Sequence, residues 1–484
     1  GAGFQIYDPN GELVTMTFTY PEVTTIETFY TTADGELITP QTLEYGTGYS
    51  LVEVQAPYGY VLNSEPVYFD VVQEDSSEES GITVIEVVRE NVAQKGTITV
   101  SKSGEVFSSV TEAGGMYQPV FAVGSLEGAV YEITAAEDIY TLDGTLRASK
   151  GEVVDTITTG ADGTATSKEL YLGSYEVKEI TAPYGMVLND EIHSVELVYA
   201  GQEVAVTETS TSFYNERQKV EIDLTKSLEV DEDYGVGNNG EIFDVSFGLY
   251  AAEELTAADG TTIPADGLIE VVTLDENGHG KAVSDLPMGS YYVQEISTNA
   301  AYLKNETKYP VVFEYAGQET AVVSITANEG EAIENDLIYG AVSGKKSDED
   351  GNALGGALIG IFKTGTEKFT TETAIATTTS EDDGSFSFAK VPYGNWIIRE
   401  IESPTGYVLS DEEITVTISK VDEVVEIELV NEFITGSIEL TKVDEDYPDN
   451  KLAGAVFEVY ADKNGDGKLD DGDELLGEMG ELGD

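Results

Sequence analysis

Four times in this sequence an asparagine is followed eleven residues later by a lysine: Asn91 and Lys102, Asn215 and Lys226, Asn335 and Lys346, Asn431 and Lys442. Between these junctions a glutamate recurs, as Glu53, Glu179, Glu295 and Glu400, while the spacing around it varies. A constant junction between bodies of variable length specifies a string of domains whose ends are held in a fixed geometry. That constraint is stronger than any single motif, because it fixes where each unit begins and ends.

The strings around the junctions are self-similar. GTITVSK (96–102), KVEIDLTK (219–226) and GSIELTK (436–442) open repeats, with GAVSGKK (340–346) a weaker copy. AVYEIT, VSFGLY, ALIGIF and AVFEVY follow as second strands, and the chain begins with a match to them, AGFQIY. Alternating apolar residues rich in Val, Ile, Thr and Tyr, punctuated by Gly, Asp and Asn, predict antiparallel strands. No long helical period appears. The expected fold is all-β: tandem small β-sandwiches of about seven strands each, joined by short connections into an elongated rod. The boundaries fall at 1–95, 96–217, 218–337, 338–433 and 434–484. The first repeat is expected to lack its opening strand and the last most of its body.

Strand side chains alternate between faces, so phase tells which residues point inward. Ile98 and Val100 share a face with Lys102; Tyr175 and Val177 share one with Glu179; Phe213 shares one with Asn215. The same phase holds for Lys226, Glu295 and Asn335, and for Lys346, Glu400 and Asn431. Buried lysine and glutamate cost several kcal/mol each unless paired or neutralised. Two explanations are open. One is a salt bridge with a hydrogen-bonded Asn, or strand ends reaching solvent. The other is chemistry: burial lowers a lysine pKa and raises a glutamate pKa. A neutral amine then attacks the Asn carbonyl, a protonated acid polarises it and shuttles protons, and ammonia leaves. Such a reaction occurs once, within one chain, and is not enzymatic turnover.

Composition narrows the partners. With 24 basic and 92 acidic residues the formal charge is −68. Such a surface repels nucleic acid and anionic lipid. Cysteine is absent, so disulfides contribute nothing, and two histidines (His193 and His279) disfavour repeated His-based zinc or nucleophile chemistry. No apolar run approaches the ~18 residues needed to span a membrane.

The string Y-x-V-x-E-x-x-A-P-Y-G, which contains Glu179, resembles the E-box of Gram-positive surface proteins. With the opening-strand lysine and closing-strand asparagine, nearly the whole chain resembles collagen-adhesin B-type and SpaA-type pilin domains. The resemblance implies transthyretin-like or reverse immunoglobulin-like sandwiches with Lys–Asn isopeptide bonds. Carried over, the bonds are Lys102–Asn215 assisted by Glu179, Lys226–Asn335 by Glu295 and Lys346–Asn431 by Glu400. The third repeat departs, with STNAAY replacing the Ala-Pro-x-Gly-Tyr stretch, and the fourth has Ser403 before Pro404. Glu53 and Asn91 have no lysine before them in this sequence, and Lys442 has no partners after it, so neither end repeat is expected to cross-link.

DKNGDGKLDDGD at 462–473 has the oxygen-ligand spacing of an EF-hand-type Ca²⁺ loop, with Gly467 at the turn. The candidate set is Asp462, Asn464, Asp466, Lys468, Asp470 and Asp473, with Asp where a bidentate Glu is usual. The competing explanation is an acidic turn.

Together these features predict the stalk of an adhesin or pilus-like protein, extracellular and anchored to a Gram-positive cell wall, continuous with neighbouring repeats of a longer chain. The alternative is a binding module in which Tyr-rich loops, or the insertion 103–127, grip a host extracellular protein or a glycan. An enzyme is disfavoured, since no recurring acid pair, P-loop or His-based site is present. No Tyr-Pro-Lys linkage motif occurs, which favours a stalk over a polymerised backbone.

Overall fold

The computed structural model describes residues 1–73 and 81–479, so parts of the expected first and last repeats lie outside the described residues. Among the described residues strands dominate, with two short 3₁₀ turns at Glu241–Asp244 and Ala327–Gly330. No helix among the described residues is long and apolar enough to cross a membrane. The chain forms two compact units, Gly1–Leu337 and Ile338–Asp484.

Within the first unit, the second repeat shows the plan. One antiparallel sheet runs Val153–Thr158, Val130–Ala135, Gly173–Thr181, Ile192–Leu197. The other is organised around the opening strand, Lys95–Ala113, with Thr164–Thr166 on one side and the closing strand, Val206–Asn215, on the other. Between them lies a core that includes Ile98, Val100, Tyr131, Ile133, Tyr175, Val177 and Phe213, all nearly inaccessible. The alternation in the sequence maps onto this directly, since each inward position is one the period-2 pattern marks.

The antiparallel expectation fails at one place in every complete repeat. The opening and closing strands pair in parallel: Val206–Asn215 on Lys95–Ala113, Val322–Thr326 and Ile333–Asn335 on Lys219–Leu228, and Val424–Asn431 on Tyr339–Asp348. Parallel neighbours need a long crossover. Here the body of the repeat is that crossover, a non-local relation that local alternation does not encode.

The third repeat stacks Leu268–Thr273, Ser246–Ala251, Gly289–Ser297 and Tyr309–Phe313 against the sheet of its opening strand. Its closing strand is interrupted by the turn Ala327–Gly330, where Asn328 and Glu329 take positive φ. The first repeat has a four-stranded sheet, Phe29–Tyr30, Gly3–Tyr7, Gly46–Gln55, Val67–Val71, and a two-stranded one, Met16–Phe18 with Thr24–Ile26, over a small core of Ile6, Met16, Phe29 and Tyr49. Its closing segment 84–91 belongs to no sheet. In the second unit the fourth repeat repeats the plan, followed by a hairpin of Phe457–Ala461 and Glu474–Met479.

The insertion 103–127 is not a free loop. It extends the opening strand of the second repeat into a hairpin with Met116–Ser125, turning at Gly114 and Gly115, both at positive φ. The hairpin lies on the third repeat. Ala258 and Asp259 donate their N–H groups to the carbonyls of Phe107 and Ser108 at 3.0 and 3.1 Å, and Gln118 Nε2 reaches the Ile269 carbonyl at 2.9 Å. Phe107, Val110 and Tyr117 pack against the third core. At its base Arg217 stacks on Phe121 and pairs with Glu105 and Asp285.

Candidate functional site: buried Lys–Glu–Asn triads

Each complete repeat brings its lysine, glutamate and asparagine to one point, and all nine side chains are at most 2% exposed. The strand register explains how. In every case the lysine sits opposite the residue two before the asparagine: Lys102 faces Phe213, Lys226 faces Ile333, and Lys346 faces Leu429. A two-residue offset keeps both side chains on the same face. The glutamate arrives from the facing sheet on the strand that opens with Gly-Ser-Tyr or Gly-Asn-Trp.

In the second repeat Lys102 Nζ lies 3.0 Å from Glu179 Oε1 and donates to Asn215 Oδ1. Asn215 Nδ2 donates to both Glu179 oxygens, at 3.1 and 3.0 Å. In the third, Lys226 Nζ is 3.5 Å from Glu295 but donates to the Ile333 carbonyl at 3.0 Å. Asn335 Nδ2 donates to Glu295 Oε1 and Oε2 at 2.9 and 3.0 Å. In the fourth, Lys346 Nζ is 3.5 Å from Glu400 and makes no hydrogen bond; Asn431 Nδ2 donates to Glu400 Oε2 at 2.7 Å. The amides of Asn335 and Asn431 keep buried Oδ1 atoms without partners.

Burial pulls all three lysines below their usual range, in opposition to the adjacent carboxylate: Lys226 falls to about 8, and Lys102 and Lys346 shift in the same direction. A larger fraction of neutral amine is therefore present near neutrality than for a surface lysine. The site holds an amine, a primary amide and a carboxyl group together in a buried core.

Two further recurrences fix the triad, and neither was singled out from sequence. Each glutamate accepts the backbone N–H ten residues on: Glu53 from Asn63, Glu179 from Asn189, Glu295 from Asn305 and Glu400 from Ser410, at 2.9 to 3.2 Å. Each lysine N–H donates to a turn glycine, Gly163, Gly278 or Gly384, at 2.7 to 2.8 Å. These glycines have φ of 76 to 77°, and a Cβ there would collide with the lysine carbonyl. The signal was present as A-D-G-T, E-N-G-H and D-D-G-S, each opening a strand that pairs with the lysine strand.

The unusual loop of the third repeat keeps the turn of the others. Tyr302 donates its N–H to the Asn299 carbonyl at 3.0 Å, as Met186 does to Pro183. Side chains replace the lost proline and glycine: Ser297 Oγ reaches the Asp244 carbonyl at 3.0 Å, and Thr298 Oγ1 accepts from Asn335 Nδ2 at 3.0 Å.

The end repeats hold partial sets. Glu53 accepts from Asn91 Nδ2 at 2.7 Å, but its Oε1 is buried without a partner. Lys442 is exposed. In the tail loop, Asp462 accepts N–H groups from Gly465 and Gly467 at 2.7 Å, which folds the loop around it, and Asn464 Nδ2 donates to Asp470 Oδ2 at 3.0 Å. Among the described residues no three His, Cys, Asp or Glu side chains converge as a metal site.

Residues 1–86, 122–211, 233–329 and 340–432 each match the SpaA prealbumin-like fold domain. No curated protein sequence matches the chain. Among solved structures, the Bacillus anthracis TIE protein aligns over 89% of this chain and 69% of its own, at 19% identity and a TM-score of 0.50. BcpA, the major pilin subunit of Bacillus cereus, aligns over 70% of this chain and 100% of its own at 16% identity, TM-score 0.31. The full-length major pilin SpaD from Corynebacterium diphtheriae aligns over 71% and 98% at 16% identity, TM-score 0.20. At these identities the likeness concerns the fold. Tandem sandwiches with parallel first and last strands, matched over more than half of the chain, establish that this chain belongs to the SpaA prealbumin-like fold domain family.

Proposed function

We propose that the chain is a structural stalk of a Gram-positive surface protein, extracellular and wall-anchored, whose complete repeats are each closed by an intramolecular Lys–Asn isopeptide bond. The observation that carries this reading is the threefold recurrence of one buried triad at one strand register. The bonds are Lys102–Asn215, Lys226–Asn335 and Lys346–Asn431. The neutral lysine amine attacks the Asn side-chain carbon. The glutamate accepts a proton from the attacking nitrogen and delivers one to the departing Nδ2, which leaves as ammonia. A new C–N bond replaces the old one with no change in oxidation state.

Placement gives the bond its mechanical sense. It ties the first strand of a repeat to the last, the two strands through which tension enters and leaves. Pulling then loads a covalent bridge and does not unzip the sheets. Intact mass under denaturing conditions tests the reading: each bond removes about 17 Da, so the expected deficit is about 51 Da. A mass equal to the sequence would refute it and leave the triads as a polar network.

A second reading, an adhesive surface for a host protein or glycan, is favoured by one observation. Tyr20, Tyr30, Tyr45, Tyr58 and Tyr68, all in the first repeat, are each more than half exposed. Alanine substitution of Tyr20, Tyr45 and Tyr68 should abolish attachment to a host matrix if this reading holds; unchanged attachment refutes it. Ca²⁺ binding by 462–473 is a third element of the proposal, supported by the ligand spacing and the folded loop around Asp462.

A further inference from the structure

The stretch Tyr-Ala-Gly-Gln occurs twice, at 199–202 and 315–318, and in both places the structure uses it identically. A buried linker glutamine shapes the loop. Gln218 Oε1 accepts the Ala316 N–H at 2.8 Å, and its Nε2 donates to the carbonyls of Gly317 and Thr320 at 3.1 and 2.7 Å. Gln94 does the same for the loop at 199–202. The glutamine at the loop tip then crosses to the preceding repeat. Gln318 Oε1 accepts the Ala182 N–H at 2.9 Å, its Nε2 lies 3.5 Å from the Ile180 carbonyl, and its own carbonyl accepts the Leu188 N–H at 2.9 Å. Gln202 makes the equivalent bonds to Ala56, Val54 and Leu62. Tyrosine pairs, Tyr58 with Tyr199 and Tyr184 with Tyr315, close the contact.

The places gripped are informative. Ile180 and Ala182 lie one and three residues after Glu179, and Leu188 precedes Asn189, whose N–H anchors Glu179 Oε2 at 2.9 Å. We infer that Gln318 is a positioning residue for the Glu179 triad of the preceding repeat, so that docking of the third repeat assembles the cross-linking site of the second. This rests on the isopeptide reading above. The amide supplies both the acceptor for Ala182 and a donor toward Ile180, and unlike an ionic clasp it is not screened by salt. The third repeat carries no such brace on Glu295 within its unit; there Ser297 and Thr298 hold the turn from inside. The motif is absent from the fourth repeat, where Ile338 takes the linker position.

The test is a cell-free synthesis time course of the full chain, with peptide mapping by mass spectrometry. The Lys102–Asn215 and Lys226–Asn335 peptides are followed in the same molecules, and hydrogen exchange is measured at Ala182. Gln318→Ala should slow formation of the Lys102–Asn215 bond at least fivefold, leave Lys226–Asn335 unchanged and remove the protection of the Ala182 amide. Gln318→Glu, which keeps the acceptor, should restore that protection and part of the rate. Equal slowing of both bonds, or no slowing with Ala182 exposed, would overturn the inference. Unchanged protection at Ala182 would overturn it as well. Absence of any bond in the unmodified chain would instead refute the isopeptide reading, with Ala182 exchange still reporting whether the brace exists.

Discussion

The only tryptophan of the chain, Trp396, is buried in the fourth repeat, so its fluorescence reports that repeat alone. This permits a stability measurement free of the overlap that spoils melts of multi-domain chains. Asn431→Ala removes the electrophile while keeping the Lys346–Glu400 pair. A bond from Lys346 to Asn431 closes a loop of about 85 residues. By the chain-entropy relation used for disulfides, that closure contributes about 4.5 kcal/mol. Asn431 Nδ2 also donates to Glu400 Oε2 and to the Val408 carbonyl, at 2.7 and 2.6 Å. In the cross-linked repeat that nitrogen has left as ammonia, so these two bonds count only where no cross-link forms, at roughly 1 kcal/mol each. For a repeat of this size each kcal/mol moves the midpoint by roughly 4–8 °C, so the Trp396 transition should fall by about 18 °C or more. If the triad is only a polar network, the two hydrogen bonds alone set the loss, at roughly 8–16 °C. A drop of about 16 °C or less refutes the cross-link argument for this repeat.

Other consequences can be checked with similar economy. Asn335→Ala leaves Lys226 unable to react, with a folded pKa of about 8 against 10.5 unfolded; the unfolded chain binds more protons between these values, so the variant's stability should rise with pH from about 8 to 10.5 and be flat in this respect below 8, as chemical denaturation at stepped pH would show. Formation of the Lys226–Asn335 bond should accelerate as pH rises toward 8, because the neutral amine is the nucleophile. Gly384→Ala forces a side chain against the Lys346 carbonyl at positive φ and should cost at least 1–3 kcal/mol or block cross-linking in the fourth repeat, read by Trp396 and by peptide mapping. Titration calorimetry should show Ca²⁺ heat that Asp462→Ala and Asp466→Ala abolish; silence in the unmodified chain would leave the loop an acidic turn.

Fold class and triad membership were legible in the chain because both rest on period-2 alternation. Lys102, Glu179 and Asn215 could be put on inward faces by counting from Val100, Val177 and Phe213, and the structure seats all three at one point. The parallel pairing of first and last strands was not legible, since pairing direction depends on a crossover of a hundred residues and not on neighbours in sequence. Nor was the fate of 103–127. As a string it looks like a ligand-gripping insertion, and only the position of the third repeat shows that Phe107, Val110 and Tyr117 are covered.

The donor details divide in the same way. That an amine, an amide and a carboxylate would meet follows from spacing and phase. That Lys226 turns to the Ile333 carbonyl while Lys102 turns to Asn215 depends on ångström-scale packing that the one-dimensional pattern does not contain. The bracing glutamines show the limit most clearly. Gln94, Gln202, Gln218 and Gln318 are visible repeats in the sequence, yet their partners lie roughly a hundred residues away, and a neutral side chain carries no charge or hydropathy phase to point at them. By itself the sequence determined the repeating sandwich and the chemistry placed at its core; the tertiary structure alone decided which repeats grip one another, because that depends on surfaces that exist only once each sandwich has closed.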